Sequence, residues 1–227
     1  MSLLTNCKGS DTTRVAITST IFYCLHNPDT LERLKAEIRG AFDDVEDICM
    51  GQRLDACHYL RSWINEAMRL CPPLGGIMPR QVLPGGAQID GVFFAHGTEV
   101  GTPIYALHHQ ERYYPNAFAF KPDRWLVCSS GCTMDDGVSP SYSAFCPFGI
   151  GPRACAGKTL AYAEISILLA RIVYSFDLRL SRDLHPEGTR PRWTEARRRK
   201  DEFHIFDSIV ALHNGPMVEF KRKDWQQ

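Results

Sequence analysis

A ten-residue stretch, FGIGPRACAG, places one cysteine between glycines and near an arginine, just before an apolar helical pattern. Cys155 would lie near the positive end of that helix, which together with backbone amides favours a deprotonated, water-shielded thiolate. Gly151 and Gly157 allow a sharp turn and close approach to a flat group, because neither carries a Cβ. Arg153 can neutralise a carboxylate, and Phe148 can pack beside the sulfur and keep it dry. These residue types predict a thiolate ligand to haem iron, which favours O–O cleavage.

Two other interpretations of this stretch compete with an iron ligand. Gly149, Gly151 and Ala154 also fit a dinucleotide-binding pattern, G-x-G-x-x-A. That pattern needs a preceding buried strand and a later acidic residue, whereas Pro147 and the polar run SPSYS precede the stretch. An isolated cysteine in a glycine-rich loop is more often a small buried residue. Matched residue types at fixed offsets favour the iron ligand, and the buried cysteine stays open as the alternative.

The spacing F-x-x-G-x-R-x-C-x-G resembles the ligand loop of the haem-thiolate monooxygenases, the cytochrome P450 family. The resemblance implies that Cys155 binds the iron of haem b, with Phe148, Arg153 and Gly157 around it. It implies insertion of one oxygen atom from O2 into a small apolar organic substrate, with electrons from an NADPH-dependent reductase. The segments YALHH and HNGPMVEFK are similar to filamentous-fungal members, which often oxidise secondary metabolites.

Glu66 and Arg69 stand three residues apart on a predicted helix and therefore project from one face. Such a pair is usually a surface salt bridge that contributes little. The family resemblance adds Arg124, in the motif PDRW, and implies a buried Glu–Arg–Arg cluster that fixes the ligand loop. Asp123 and Trp125 depart from the family's usual Glu and Phe at this motif.

The segment GSDTT places a glycine, an acid and hydroxyl residues inside a predicted helix. These residues are poor helix formers, and such a local conflict indicates function. The resemblance implies that Gly9 opens a groove for dioxygen and that Asp11 and Thr12 deliver protons. A helix N-cap at Ser10 or Asp11 is the alternative. Arg80, otherwise a surface arginine on a strand, is implied to bind a haem propionate.

Hydrophobic periodicity predicts helices over residues 9–26, 28–42, 54–70 and 158–176. Asn27 and Pro28 are read as the N-cap and first-turn proline of the second helix. Turn residues between 77 and 104 predict short strands, and 105–147 is expected to be mostly irregular. A strand over 203–212, a turn at Asn214-Gly215 and a strand over 217–220 are predicted in the tail. The predicted inward residues of the first and last helices are Val15, Ile17, Ile21, Phe22 and Leu25, and Ile165, Leu168, Leu169 and Ile172.

Composition narrows the class of protein. The 227 residues carry zero formal net charge, which gives no support for nucleic-acid binding. An odd number of cysteines, nine, and no signal peptide predict reduced thiols and an intracellular location. Cys128 and Cys132 are interpreted as loop thiols because no second pair at zinc spacing follows. No apolar run is long enough to span a membrane, although a full-length relative would be anchored in the endoplasmic reticulum.

The expected fold class is mainly α with small β-sheets (α+β), forming the C-terminal half of the cytochrome P450 fold as a single partial domain over residues 1–227. The family's N-terminal half, with its substrate roof and membrane anchor, is expected to be absent. Lys8 stands where the family has a small residue, so residues 1–8 are not expected to be authentic distal-helix sequence. Poor haem retention and little turnover are expected of this chain. The alternative function is a truncated, non-catalytic remnant with weak or no haem binding.

Overall fold

The computed structural model describes residues 9–126, 140–181, 202–203, 210–211 and 216–223. The helices in these ranges are α1 Gly9–His26, α2 Pro28–Ala41, α3 Gln52–Asp55, α4 His58–Leu70, α5 Ile104–His108, α6 Pro140–Ser143 and α7 Lys158–Ser175. The strands are β1 Arg80–Gln81, β2 Ala87–Ile89, β3 Val92–Phe94, β4 Glu99–Val100, β5 Phe176–Leu180 and β6 Val218–Arg222. This is the mainly helical α+β class that the sequence predicts. No helix in the described ranges has both the length and the apolar character needed to cross a membrane.

A proline separates the first two helices. α1 ends at His26, and Pro28 lies in the first turn of α2, where its missing N–H removes no helical hydrogen bond. Asn27 is at the N-cap position, but its side chain makes no capping bond. Instead its Nδ2 donates to the carbonyl oxygen of Tyr23 at 3.0 Å. The Asn27 side chain therefore satisfies an unpaired carbonyl at the end of α1. The predicted N-cap position is confirmed, but its side chain does not cap α2.

The buried face of α1 is more polar than predicted. Val15 and Phe22 are buried, but the other predicted inward residues are only partly buried: Ile17, Ile21 and Leu25. Ser19 and Thr20 are buried in their place, and their hydroxyls donate to the carbonyl oxygen of Ala16 at 3.0 and 2.6 Å. Because these hydroxyls are satisfied within the helix, they can face the core without an unpaired donor.

α4 is buried along nearly its whole length and begins later than predicted. The single helix expected from Leu54 is divided into α3 and α4, with Ala56 and Cys57 between them. Glu37 of α2 accounts for where α4 begins. Its two carboxylate oxygens accept the N–H groups of Tyr59 and Leu60, each at 2.8 Å. A carboxylate there satisfies two orphan donors and complements the positive helix end.

The strands form three two-stranded antiparallel sheets, β1–β4, β2–β3 and β5–β6. The predicted turn between β2 and β3 is confirmed, with Asp90 and Gly91 at φ of +49° and +78°. In β5–β6, Leu178 lies opposite Phe220. β5 was not predicted from the sequence. The predicted strand over residues 203–212 falls mostly outside the described ranges, and the predicted turn at 214–215 lies outside them entirely.

α1, α2, α4 and α7 enclose the main apolar core. Its fully buried side chains include Leu34, Ile38, Trp63, Ile64 and Ile165. Each contributes about 1.5–3 kcal/mol of burial free energy. On α7, Leu169 is buried as predicted, but Leu168 is exposed and Ile172 only partly buried, while Ala170 and Val173 are buried. α7 is thus fixed in the core immediately after the loop that carries Cys155.

Candidate functional site

A cleft of 920 Å³ brings together segments that are far apart in the sequence. They are the first turns of α1, the end of α4 with the segment to β1, the residues around α5, and the cysteine loop with the start of α7. The lining is mostly apolar and includes Ile17, Met68, Leu74, Ile104 and Leu160. Pockets for small molecules and cofactors measure about 300–1,000 Å³ and are mostly apolar. The cleft therefore has the size and character of a cofactor site.

Cys155 lies in this cleft on a loop held by backbone hydrogen bonds. Its N–H donates to the carbonyl oxygen of Phe148 at 2.8 Å, and the N–H of Ala154 donates to that of Gly151 at 3.0 Å. Gly149 and Gly151 adopt φ of +70° and +76°. Side chains rarely tolerate that conformation, so the path of the loop depends on these glycines.

The thiol is close to the beginning of α7. Gly157 is the N-cap residue of this 18-residue helix, and a Cβ there would lie 3.8 Å from Cys155 Sγ. The partial positive charge at a helix N-terminus stabilises an anion nearby. Cys155 is exposed and lines the cleft. Phe148 is partly buried, with its ring 5.2 Å from that of Tyr162.

The backbone before this loop does not form a dinucleotide-binding unit. Between residues 140 and 150, the described chain contains the short helix α6 and turns, and no strand. The G-x-G-x-x-A pattern requires a strand that enters the glycine turn directly. The strand that a dinucleotide-binding loop requires is therefore missing before Gly149 among the described residues, which argues against that interpretation.

Both predicted arginines line the cleft. Arg153 ends a 3-10 turn, Gly151–Arg153, and Arg80 begins β1. The Arg80 Nη1 donates to the carbonyl oxygens of Met78 and Pro79 at 3.3 and 3.0 Å. Among the described residues, no ion pair joins either guanidinium to a carboxylate. The two side chains are thus cationic groups available to a ligand in the cleft.

The start of α1 contributes Gly9 and Thr12 to the lining, whereas Asp11 is exposed and is not part of it. The hydroxyls of Thr12 and Thr13 donate to the carbonyl oxygen of Gly9 at 3.1 and 3.0 Å. Since α1 already includes residue 9, neither Ser10 nor Asp11 is an N-cap residue, and that alternative is wrong.

A buried carboxylate lies behind the cleft, at Glu66 of α4. Its two oxygens accept bonds from Nη2 and Nε of Arg69, both at 2.9 Å, and from Nε of Arg124 at 3.0 Å. Glu66 and Arg69 have no exposed side-chain surface, and Arg124 is 10% exposed. The structure thus brings together the three residues that the family resemblance assigns to one cluster.

Backbone groups complete the cluster. Arg69 Nη1 donates to the carbonyl oxygens of His108 and Ala117 at 2.8 and 2.7 Å. The N–H of Lys121 donates to Glu66 at 2.9 Å. These bonds fasten the segment between β4 and residue 126 onto α4. Buried ion pairs are tolerated when further hydrogen bonds satisfy the remaining polar atoms, as here.

Two features of this region were not predicted from the sequence. The indole Nε1 of Trp125 donates to Glu66 at 2.9 Å. The residue that departs from the family pattern therefore adds a hydrogen-bond donor to the carboxylate. A buried indole N–H needs a hydrogen-bond acceptor, so the tryptophan at this position could have indicated a nearby carboxylate. Asp123, the other departure, pairs through both carboxylate oxygens with Arg33 of α2, each at 2.8 Å. Nothing in the sequence alone indicated Arg33.

Further residues of the lining were also missed, because no motif marks them. They are hydroxyl, thiol, apolar and carboxyl side chains: Thr18, Cys146, Leu160 and Glu164. Only folding of four separate segments together defines this set.

Comparisons with known proteins point in the same direction as the geometry. The family model described as cytochrome P450 matches residues 3–202. The chain is 38% identical over 219 residues to cytochrome P450 monooxygenase AKT7 of Alternaria alternata, covering 94% of this chain and 42% of the relative. It is 37% identical over 223 residues to a cytochrome P450 monooxygenase of Gibberella zeae, covering 95% and 49%.

A solved structure shares the fold. A zebrafish cytochrome P450, determined with abiraterone, aligns with a TM-score of 0.70 and 22% identity, covering 95% of this chain and 44% of that one. The chain therefore spans less than half the length of these relatives.

Proposed function

The chain belongs to the cytochrome P450 family, and from that membership we propose that its cleft binds haem b through Cys155 for monooxygenation of a small apolar organic substrate. The proposal rests on one observation, that residues from separate motifs meet in the same cleft. Residues chosen from motifs in distant parts of the sequence line one cleft: Gly9, Thr12, Arg80, Phe148, Arg153, Cys155 and Gly157.

The residues of the cleft fit haem. A flat, apolar macrocycle needs apolar walls, and the cleft is lined mainly by aliphatic side chains. Its two propionates need cations, and Arg80 and Arg153 both line the cleft without a carboxylate partner among the described residues. Gly157 is next to the sulfur, since a Cβ there would lie 3.8 Å from Cys155 Sγ, and its lack of a side chain leaves space beside the thiol.

The chemistry is divided between cofactor and chain. A thiolate-ligated haem supplies the activation of O2 that inserts one oxygen atom into an apolar substrate. In the proposal, Cys155 holds negative charge at Sγ near the start of α7, and the arginines neutralise the propionates. Thr12 moves a proton through Oγ1, which now donates to Gly9. Asp11, exposed beside it, exchanges that proton with solvent.

The remaining parts of the proposal concern partners and location. Electrons would come from an NADPH-dependent reductase, and the full-length protein would lie at the endoplasmic reticulum membrane. The resemblance to filamentous-fungal members favours a substrate in secondary metabolism. We further propose that residues 1–227 form a single partial domain of the family fold, because one core joins α1, α2, α4 and α7 in the described part of the chain.

A second candidate function is a haem-binding or vestigial chain without turnover. Every residue from 151 to 160 is exposed, including Cys155. Oxidative chemistry requires exclusion of water from the reacting centre. If water still reaches this loop when haem is bound, the chain would bind haem without catalysing oxidation.

Haem reconstitution of two cysteine variants tests the proposal. Cys155→Ser should abolish the thiolate-type carbon monoxide difference band, because it removes the iron ligand. Cys146→Ser is the matched control, since Cys146 is a second thiol in the same cleft. It should keep the band. Loss of the band in both variants, or in neither, would contradict Cys155 as the ligand. A thiolate band with no oxidation of added substrates would select the second candidate.

A further inference from the structure

His108 connects the buried Glu66 cluster with the loop that carries Cys155. It is the last residue of α5 and has no exposed surface. Its backbone carbonyl oxygen accepts a hydrogen bond from Arg69 Nη1 at 2.8 Å. Its imidazole Nε2 accepts one from the backbone N–H of Cys146 at 3.0 Å. One residue is thus bonded to both regions.

The imidazole can make this bond only as a neutral ring. Because Nε2 accepts the N–H of Cys146, the ring proton belongs on Nδ1, which is buried and has no hydrogen-bond partner in the described part of the chain. Burial, together with the positive charge of Arg69, lowers the pKa of His108 to about 3. The ring therefore remains an acceptor throughout the physiological pH range.

The segment that His108 holds leads directly to the ligand loop. Phe145 stacks on the imidazole, with ring centroids 5.4 Å apart. The carbonyl oxygen of Cys146 accepts the N–H of Gly149 at 2.9 Å, and that of Phe148 accepts the N–H of Cys155 at 2.8 Å. Two backbone hydrogen bonds therefore separate the His108 contact from the thiol-bearing residue.

We infer that His108 is a positioning residue, which fixes the cysteine loop relative to the Glu66–Arg69 pair by accepting the N–H of Cys146. The inference rests on the proposed function only in taking the loop as the haem-ligand loop. His108 does not line the cleft, so it acts through Cys146 and contacts no ligand. Without this acceptor, the Cys146 N–H would lose its partner in a partly buried place.

Hydrogen exchange at single-residue resolution tests the contact directly on the 227-residue chain. In His108→Gln, the amide oxygen can take the place of Nε2. In His108→Asn, the acceptor is shorter and falls nearer the position of Nδ1. His108→Phe keeps a ring to stack on Phe145 but has no acceptor. His109→Phe is the matched control, because the imidazole of His109 bonds to the carbonyl oxygen of Tyr105 in α5 and not to Cys146.

The expected pattern separates hydrogen bonding from packing. The Cys146 amide should exchange about 5- to 150-fold faster in His108→Phe and His108→Asn, since an unsatisfied, partly buried donor favours local opening. It should stay within about twofold of wild type in His108→Gln and His109→Phe. Equal exchange in the Gln and Phe variants would overturn the inference. If His108→Phe does not fold, the Gln and Asn variants decide the question in the same way.

Haem binding provides a second and separate measurement. Titration with haem should give weaker binding to His108→Asn than to His108→Gln, because the ligand loop is less well placed. Equal affinities in these two variants would overturn the positioning role. If instead Cys155→Ser binds haem as wild type does, the proposed function fails, while the exchange result at Cys146 still reports on His108.

Discussion

The Glu66 cluster and the Cys155 loop lie near each other but are built in opposite ways. The carboxylate of Glu66 is fully buried, and its partners all come from this chain: two arginines, an indole and a backbone amide. Residues 151–160, in contrast, are exposed, and the arginines of the cleft have no carboxylate partners in the described ranges. The polar groups of the Glu66 cluster are paired within the protein, whereas the arginines and the thiol of the cleft are available to a ligand. Substitutions should therefore affect folding in one region and binding in the other.

The largest effect is expected at the centre of the cluster. Glu66→Ala should reduce the free energy of unfolding by about 3–5 kcal/mol, because two arginines would keep buried charge without a partner. Glu46→Ala is the matched control. Its carboxylate is 79% exposed and pairs with Arg171 at 3.4 Å, so the loss should be below about 1 kcal/mol. Urea denaturation measures both, and similar losses in the two variants would remove the distinction between the regions.

A pH dependence of intermediate size is expected at His108. Its pKa is about 3 in the folded chain, against an ordinary value of 6.5. Between these values the unfolded chain binds more protons, so the stabilising contribution is full above pH 6.5 and is lost as the pH falls towards 3. Relative to His108→Gln, the wild type should lose about 2–3 kcal/mol of stability between pH 7 and pH 4.

The other charged and titratable groups around His108 are the same in the wild type and in His108→Gln. They are Arg69, His109, Tyr114 and Cys146. The difference between the two pH profiles therefore isolates the imidazole. Parallel profiles, measured by urea denaturation at each pH, would show that His108 is not held neutral by burial.

The smallest effect on stability is expected in the cleft. Arg80→Gln and Arg153→Gln should each change the free energy of unfolding by less than about 0.5 kcal/mol, because both side chains are exposed. Each should weaken haem binding about tenfold, through loss of a charged hydrogen bond to a propionate. Denaturation and haem titration of the same samples measure the two effects. If either arginine variant lost as much stability as Glu66→Ala, the cleft and the Glu66 cluster would not differ in their contribution to folding.

The sequence alone predicted the features that depend on local chemistry. Gly151 marks a turn with positive φ, and Pro28 marks the start of a helix, because each residue type has a backbone requirement of its own. The E-x-x-R spacing placed Glu66 and Arg69 on one helix face. Joining them with Arg124 required the family resemblance, since these residues are separated by 55 positions or more.

Features set by tertiary contact could not be predicted in the same way. The helix expected from Leu54 is interrupted because Glu37, on another helix, caps residues 59 and 60. β5 escaped notice because its partner lies about 40 residues later in the chain. His108 follows no motif with a known physical requirement. Its importance depends on the two partners that the fold places on either side of it.

The pairing of β5 with β6 has a practical consequence for shortened versions of this protein. Because β5 continues directly from the helix that follows the cysteine, the final strand braces the far end of that helix. Deleting residues from 217 onwards would remove the strand that is hydrogen-bonded to Phe176–Leu180. The bare strand would then present unpaired amides and carbonyls beside Phe176, a template for intermolecular association. Soluble expression should therefore fall as trimming from the C-terminus proceeds from Arg222 to Val218.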